Sequence, residues 1–173
     1  MSLVLFFAAG ALLAEPGRLT PDPLEPSRRG MVSCVDPDIA SKTCMAIYRY
    51  SWDGDAISFA VTMLVNAPGH TVMEAKGHLY YRGDLSCSRR SFKPEEIVGA
   101  TIDGAPADER ALADLRERAT AVLKPFDGLE YCVGYEPRGD DGFITRVFVE
   151  NVRRPESDNT MRWVSPDEGW RVP

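Results

Sequence analysis

The sequence is poor in the residues and motifs that usually carry catalysis or cofactor binding. Its 173 residues include only two histidines, and they contain no Gly-x-Gly-x-x-Gly pattern, P-loop or Gly-x-Ser-x-Gly elbow. These absences disfavour nucleotide cofactors and serine-hydrolase chemistry. The formal net charge of −6 argues against sequence-independent binding to nucleic acid, which depends on neutralising phosphates. The sequence therefore predicts no cofactor, no bound metal and no nucleic-acid partner.

The chain also lacks an apolar run long enough to span a bilayer, which takes about 20 residues. The run Leu3–Leu13 is shorter, and Ala14 precedes Glu15-Pro16-Gly17. This pattern is typical of a signal peptide over residues 1–14, although no Lys or Arg precedes the run. It predicts a periplasmic or secreted protein with no stable membrane span after cleavage. Residues 15–30 are rich in proline and predict a mobile arm, which leaves 31–173 as a single domain.

Cysteine is scarce, and none of its spacings forms a Cys-x-x-Cys motif. The four cysteines are separated by 10, 43 and 45 positions, which disfavours a zinc site or a redox-active pair. An even number in an exported chain favours disulfide bonds, and four cysteines allow three pairings. We favour Cys34–Cys44 and Cys87–Cys132.

The stretch from Cys44 to Cys87 predicts three antiparallel strands. Its clearest signal is an apolar residue at every second position from Ile57 to Val65, which is the side-chain period of a strand. Asp53-Gly54-Asp55 and Ala67-Pro68-Gly69-His70 carry the residues of tight turns on either side. Short turns between alternating runs predict a meander.

The second half of the chain predicts one main helix and three further strands. From about 106 to 124 the apolar residues recur at steps of three and four, which gives a helix one apolar face. Strands are expected over 129–135, 143–152 and 160–164. The predicted fold class is α+β: an antiparallel sheet of about five to six strands, held by disulfides, with the helix packed on one face.

Aromatic residues supply the candidate binding site. Tyr48, Tyr50 and Trp52 alternate along one predicted strand, and Tyr80 lies in a neighbouring one. Such residues either line a ligand groove or interface, or pack across strands as core. We expect a non-enzymatic binding module of the bacterial envelope that contacts a protein or an envelope component through these aromatics or an exposed sheet edge. The alternatives are a small exported hydrolase using Asp and Glu as acid and base, and a purely structural domain.

Overall fold

The computed structural model describes residues 22–67, 69–89, 93–139 and 142–173. The predicted signal peptide, residues 1–14, lies outside these ranges, as do residues 15–21. The described part contains the helices α1 (Glu25–Arg28) and α2 (Glu109–Leu123). Its eleven strands are β1 (Val32–Val35), β2 (Ala46–Asp53), β3 (Ala56–Val65), β4 (Thr71–Arg82), β5 (Leu85–Arg89), β6 (Ile97–Ile102), β7 (Ala105–Pro106), β8 (Glu130–Arg138), β9 (Gly142–Val149), β10 (Val152–Arg153) and β11 (Asn159–Val164).

Eight of these strands close into an antiparallel barrel. Around the wall the order is β1, β2, β3, β4, β5, β8, β9, β11, and β11 pairs again with β1. Each wall strand therefore lies beside the wall strand that follows it in the chain. The predicted α+β fold class, an open sheet of five to six strands backed by a helix, is wrong. Closure gives every wall strand two partners and removes the free edges that an open sheet would leave.

The barrel consists of two meanders joined at two seams. One meander runs from β1 to β5, and the other contains β8, β9 and β11. The β5–β8 seam carries the disulfide Cys87–Cys132, whose two residues are direct cross-strand partners. The second disulfide, Cys34–Cys44, ties β1 to the segment that leads into β2. Both predicted pairings are confirmed.

Helix α2 forms where it was predicted, but it does not cover a sheet face. Asp108 caps its start by accepting a hydrogen bond from the backbone N–H of Ala111 at 2.8 Å. Leu115 is its only buried residue, and Arg116 donates to the carbonyl of Ile97 at 2.7 Å. The helix therefore packs beside β6, because the barrel already buries its own apolar side internally. Among the described residues, no helix combines the length and apolar content needed to cross a membrane.

Residues 22–30, expected to belong to the mobile arm, hold a packed position in the structure. Leu24 is fully buried and belongs to the same apolar cluster as Ile57 and Trp163. The short helix α1 follows it and contacts β1 and β2. This segment therefore lies against one end of the barrel.

Candidate functional site

The inner face of the barrel wall collects most of the aromatic residues that the sequence singled out. On β2, Tyr48, Tyr50 and Trp52 point inward at every second position, opposite Val61, Phe59 and Ile57 of β3. Tyr50 and Trp52 share one apolar cluster with residues from the facing wall, such as Tyr135 of β8. Side chains from opposite walls can meet only inside the barrel. Three of the four predicted binding residues are therefore brought together in its interior.

Tyr80, the fourth predicted binding residue, faces the other way. It pairs with Cys87 on the outer surface of the wall, and its hydroxyl donates to Glu130 at 2.5 Å. The neighbouring residue, Tyr81, occupies the inward position instead and lies beside Trp52, with ring centroids 6.5 Å apart. The strand alternation already places Tyr80 and Tyr81 on opposite faces, and the pairing of Ile57 with Leu79 assigns the inner face to Tyr81.

A chain of four hydroxyl groups crosses the barrel interior. Tyr50 is hydrogen bonded both to Ser33 of β1 and to Tyr135 of β8. Tyr135 in turn shares a 2.9 Å hydrogen bond with Ser86 of β5. Strands β2 and β8 stand on opposite sides of the eight-strand wall, so the contact between the two tyrosines spans the lumen. Sequence reasoning missed both serines, since each lies in a short strand with little apolar alternation.

Burial controls the ionisation of these tyrosines. Loss of solvent raises the pKa of Tyr50 well above its usual value. The same cause raises the pKa of Tyr135 to about 12, with hydrogen bonds from Ser86 and Tyr50 acting in the opposite direction. Both hydroxyls therefore stay protonated, and able to donate, over the whole physiological pH range.

Trp163 adds a donor that has no partner. Its side chain is 7% exposed, lies in the interior cluster, and its ring centroid is 5.9 Å from that of Tyr50. The indole N–H has no hydrogen-bond acceptor among the described residues. A buried donor left unpaired costs about 1–3 kcal/mol, so this N–H is a polar group that the described interior leaves unsatisfied.

The interior aromatics retain accessible surface even though the wall is closed. Tyr48, Tyr50, Phe59 and Tyr135 are only half-buried. Because they point inward, that surface faces space inside the barrel rather than bulk solvent. An interior of eight strands is wide enough either to be filled by side chains or to hold one small ligand. The partly exposed inward rings are the observation that favours the second case.

One end of the barrel is sealed by residues 22–30. Tyr81 donates to Asp22 at 2.5 Å, and the indole N–H of Trp52 donates to the Ser27 hydroxyl at 2.9 Å. The Arg28 guanidinium lies 3.5 Å from the centroid of the Trp52 ring, which is a cation–π contact. Residues 22–30 therefore cover the end of the barrel that lies opposite the β3–β4 turn.

Two other arrangements could suggest chemistry, and neither forms a convincing site. Ligand atoms of Cys87, Glu130 and Cys132 lie within 4.8 Å of one another, but the two sulfurs form a disulfide and offer no thiolate to a metal. The carboxyls of Asp38 and Asp158 have lowered pKa values, the first chiefly through its hydrogen bond with Ser41 and the second chiefly through Arg153. A general acid needs a raised pKa, so these two groups give the hydrolase alternative no support.

A second concavity lies over β9 and β11. This open groove has a volume of about 550 Å³, and its lining includes Pro37, Ile39, Arg138, Phe143, Thr160 and Arg162. It carries no nucleophile or acid–base pair, so we regard the barrel interior as the stronger candidate site. No protein-family model, curated protein or solved structure matches this chain.

Proposed function

We propose that this protein is a non-enzymatic binding protein, periplasmic or secreted, that holds one small ligand inside its barrel. The observation that carries the proposal is the half-buried state of Tyr48, Tyr50, Phe59 and Tyr135 within a closed wall. Aromatic rings give a ligand large contact area, and the hydroxyl chain supplies a few polar groups that would orient it. This refines the expected envelope module, because the aromatics act from inside the barrel and not from a sheet surface.

The export part of the proposal is supported by the cysteines. All four are paired, and the described residues contain no free thiol. Disulfides persist in oxidising compartments and are rare in the cytosol. The apolar run Leu3–Leu13 gives the same indication from the sequence.

A dye titration with a filled-lumen variant tests the binding part. The full chain is titrated with N-phenyl-1-naphthylamine, an uncharged dye that fluoresces in apolar sites. Ala75 points inward on β4 opposite Val61, so Ala75→Phe should fill the lumen. Ala60 lies on the outer face of β3 opposite Lys76, which makes Ala60→Phe the matched control.

We expect one saturable dye site per chain. Ala75→Phe should weaken binding at least about tenfold, and Ala60→Phe should leave it unchanged, with circular dichroism confirming that both variants fold. Equal binding by both folded variants, or no saturable binding by the unmodified chain, would contradict the proposed function.

A further inference from the structure

The inner wall of the barrel carries no charge. Every residue at an inward-facing position of the eight described wall strands is apolar or uncharged polar, as the cross-strand pairing assigns them. The charged side chains of these strands, such as Arg49, Lys76 and Arg146, occupy outward positions. A charged ligand held against these wall side chains would lose its hydration and meet no counter-charge on the wall, which is strongly unfavourable.

The interior contains one buried hydrogen-bond donor that has no acceptor among the described residues, the indole N–H of Trp163. The same interior holds the hydroxyl groups of Ser33, Tyr50, Tyr135 and Ser86, which are hydrogen bonded to one another. The unpaired indole N–H of Trp163 lies at the same level, since Trp163 is the direct cross-strand partner of Ser33. A ligand that brings an acceptor oxygen to this level would offer the Trp163 N–H the partner that the described residues do not provide.

From these observations we infer the chemical class of the ligand: an uncharged, flat apolar molecule that carries a carbonyl or similar acceptor and no ionised group. The inference rests on the proposed function and adds to it a preference on charge and on hydrogen bonding. The rings of Tyr48, Tyr50 and Phe59 would contact the flat body, while the hydroxyl chain and Trp163 would face the acceptor.

Three probes with one bicyclic body separate these requirements. 2-Acetylnaphthalene is neutral and bears a carbonyl, 2-isopropylnaphthalene has a similar shape without an acceptor, and 2-naphthoate is an anion at pH 7. Each is titrated into the ¹⁵N-labelled full chain while the three indole N–H signals are followed by NMR. The signal of Trp163 is assigned with the variant Trp163→Phe, and that of Trp170, which packs in a different cluster, serves as the internal control.

We expect 2-acetylnaphthalene to bind about fivefold more tightly than 2-isopropylnaphthalene, because a hydrogen bond to a buried donor contributes about 1 kcal/mol. It should also shift the Trp163 indole signal downfield. 2-Naphthoate should bind at least about a hundredfold more weakly than the ketone. The variant Tyr50→Phe, which keeps the ring and removes one donor, should reduce the preference for the ketone.

The outcomes distinguish the two proposals. If the naphthoate binds as tightly as the ketone at the same indole signal, the inferred ligand class is wrong while the interior site stands. Equal affinity for the ketone and the hydrocarbon would likewise overturn the acceptor preference alone. If none of the three probes binds saturably, the proposed function itself fails.

Discussion

Leu24 provides the sharpest stability test of how the barrel end is sealed. Its side chain is fully buried and packs in one cluster with Ile57, Met161 and Trp163. Truncating a buried leucine to alanine costs about 2–5 kcal/mol, depending on how far the surroundings collapse. Leu24 packs at one end of a closed wall, so we expect partial collapse and a loss of about 3 kcal/mol in the free energy of unfolding for Leu24→Ala.

The assay is thermal unfolding followed by circular dichroism. For a chain of this size, 1 kcal/mol shifts Tm by about 2–4 °C, so Leu24→Ala should lower Tm by about 6–12 °C. The control is Val122→Ala on α2, where the side chain is 69% exposed and the change should stay within about 0.5 kcal/mol. A Tm for Leu24→Ala within 1 °C of that control would refute the packed position of residues 22–30.

Three further predictions follow from the wall and the outer surface. A Cβ at Gly77 would lie 2.5 Å from the Phe59 ring, so Gly77→Ala should destabilise the fold by about 1–3 kcal/mol in urea unfolding, and Phe59→Leu should recover part of that loss. The Cys87–Cys132 bond closes a loop 45 residues long, so removing it should lower the free energy of unfolding by about 4 kcal/mol. Removing Cys34–Cys44, which closes the shorter loop, should lower it by about 3 kcal/mol, and equal losses would contradict the role given to the seam disulfide. Hydrogen bonding by Arg153 is the main cause that lowers the pKa of Asp158 to about 2. The stability that the ionised Asp158 carboxylate contributes is therefore complete above about pH 5 and disappears as the pH falls through 2. Asp158→Asn should remove this acid dependence from unfolding curves measured at a series of pH values.

The predicted strands differ from the missed ones in length and in apolar alternation. Strands β2, β3, β4, β8, β9 and β11 were all predicted, because their residues alternate clearly or carry turn residues at their ends. The two missed wall strands, β1 and β5, have only four and five residues. Their inward positions are held by small polar residues, Ser33 and Ser86, so no apolar alternation marks them.

Those two short strands decide the architecture. Strand β1 pairs with β11 and β5 pairs with β8, so they supply both seams that close the wall. Without these two strands, the pattern of six strands and one amphipathic helix predicts a sheet with the helix packed on one face. The Cys87–Cys132 pairing, already favoured from the sequence, was the available signal that β5 and β8 are neighbours.

The same reasoning explains how much of the candidate site the sequence could reveal. Tyr48, Tyr50 and Trp52 lie on one strand, so their alternation was visible along the chain. Tyr135 and Trp163 join them only when the wall closes, which brings β8 opposite β2 and places β11 next to β1. Closure depends on pairing between segments that are distant in the chain, and hydrophobic periodicity along one segment does not reveal its pairing partner.

The central claim is that the closed barrel holds a small molecule among its inner tyrosines. Intermolecular NOEs between bound 2-acetylnaphthalene and the protein test it most directly, because they identify the residues that lie next to the probe. We predict NOEs from the naphthalene protons to the rings of Tyr50 and Tyr135. NOEs only to outward residues, such as Ile39 in the open groove or Val122 on α2, would contradict the claim.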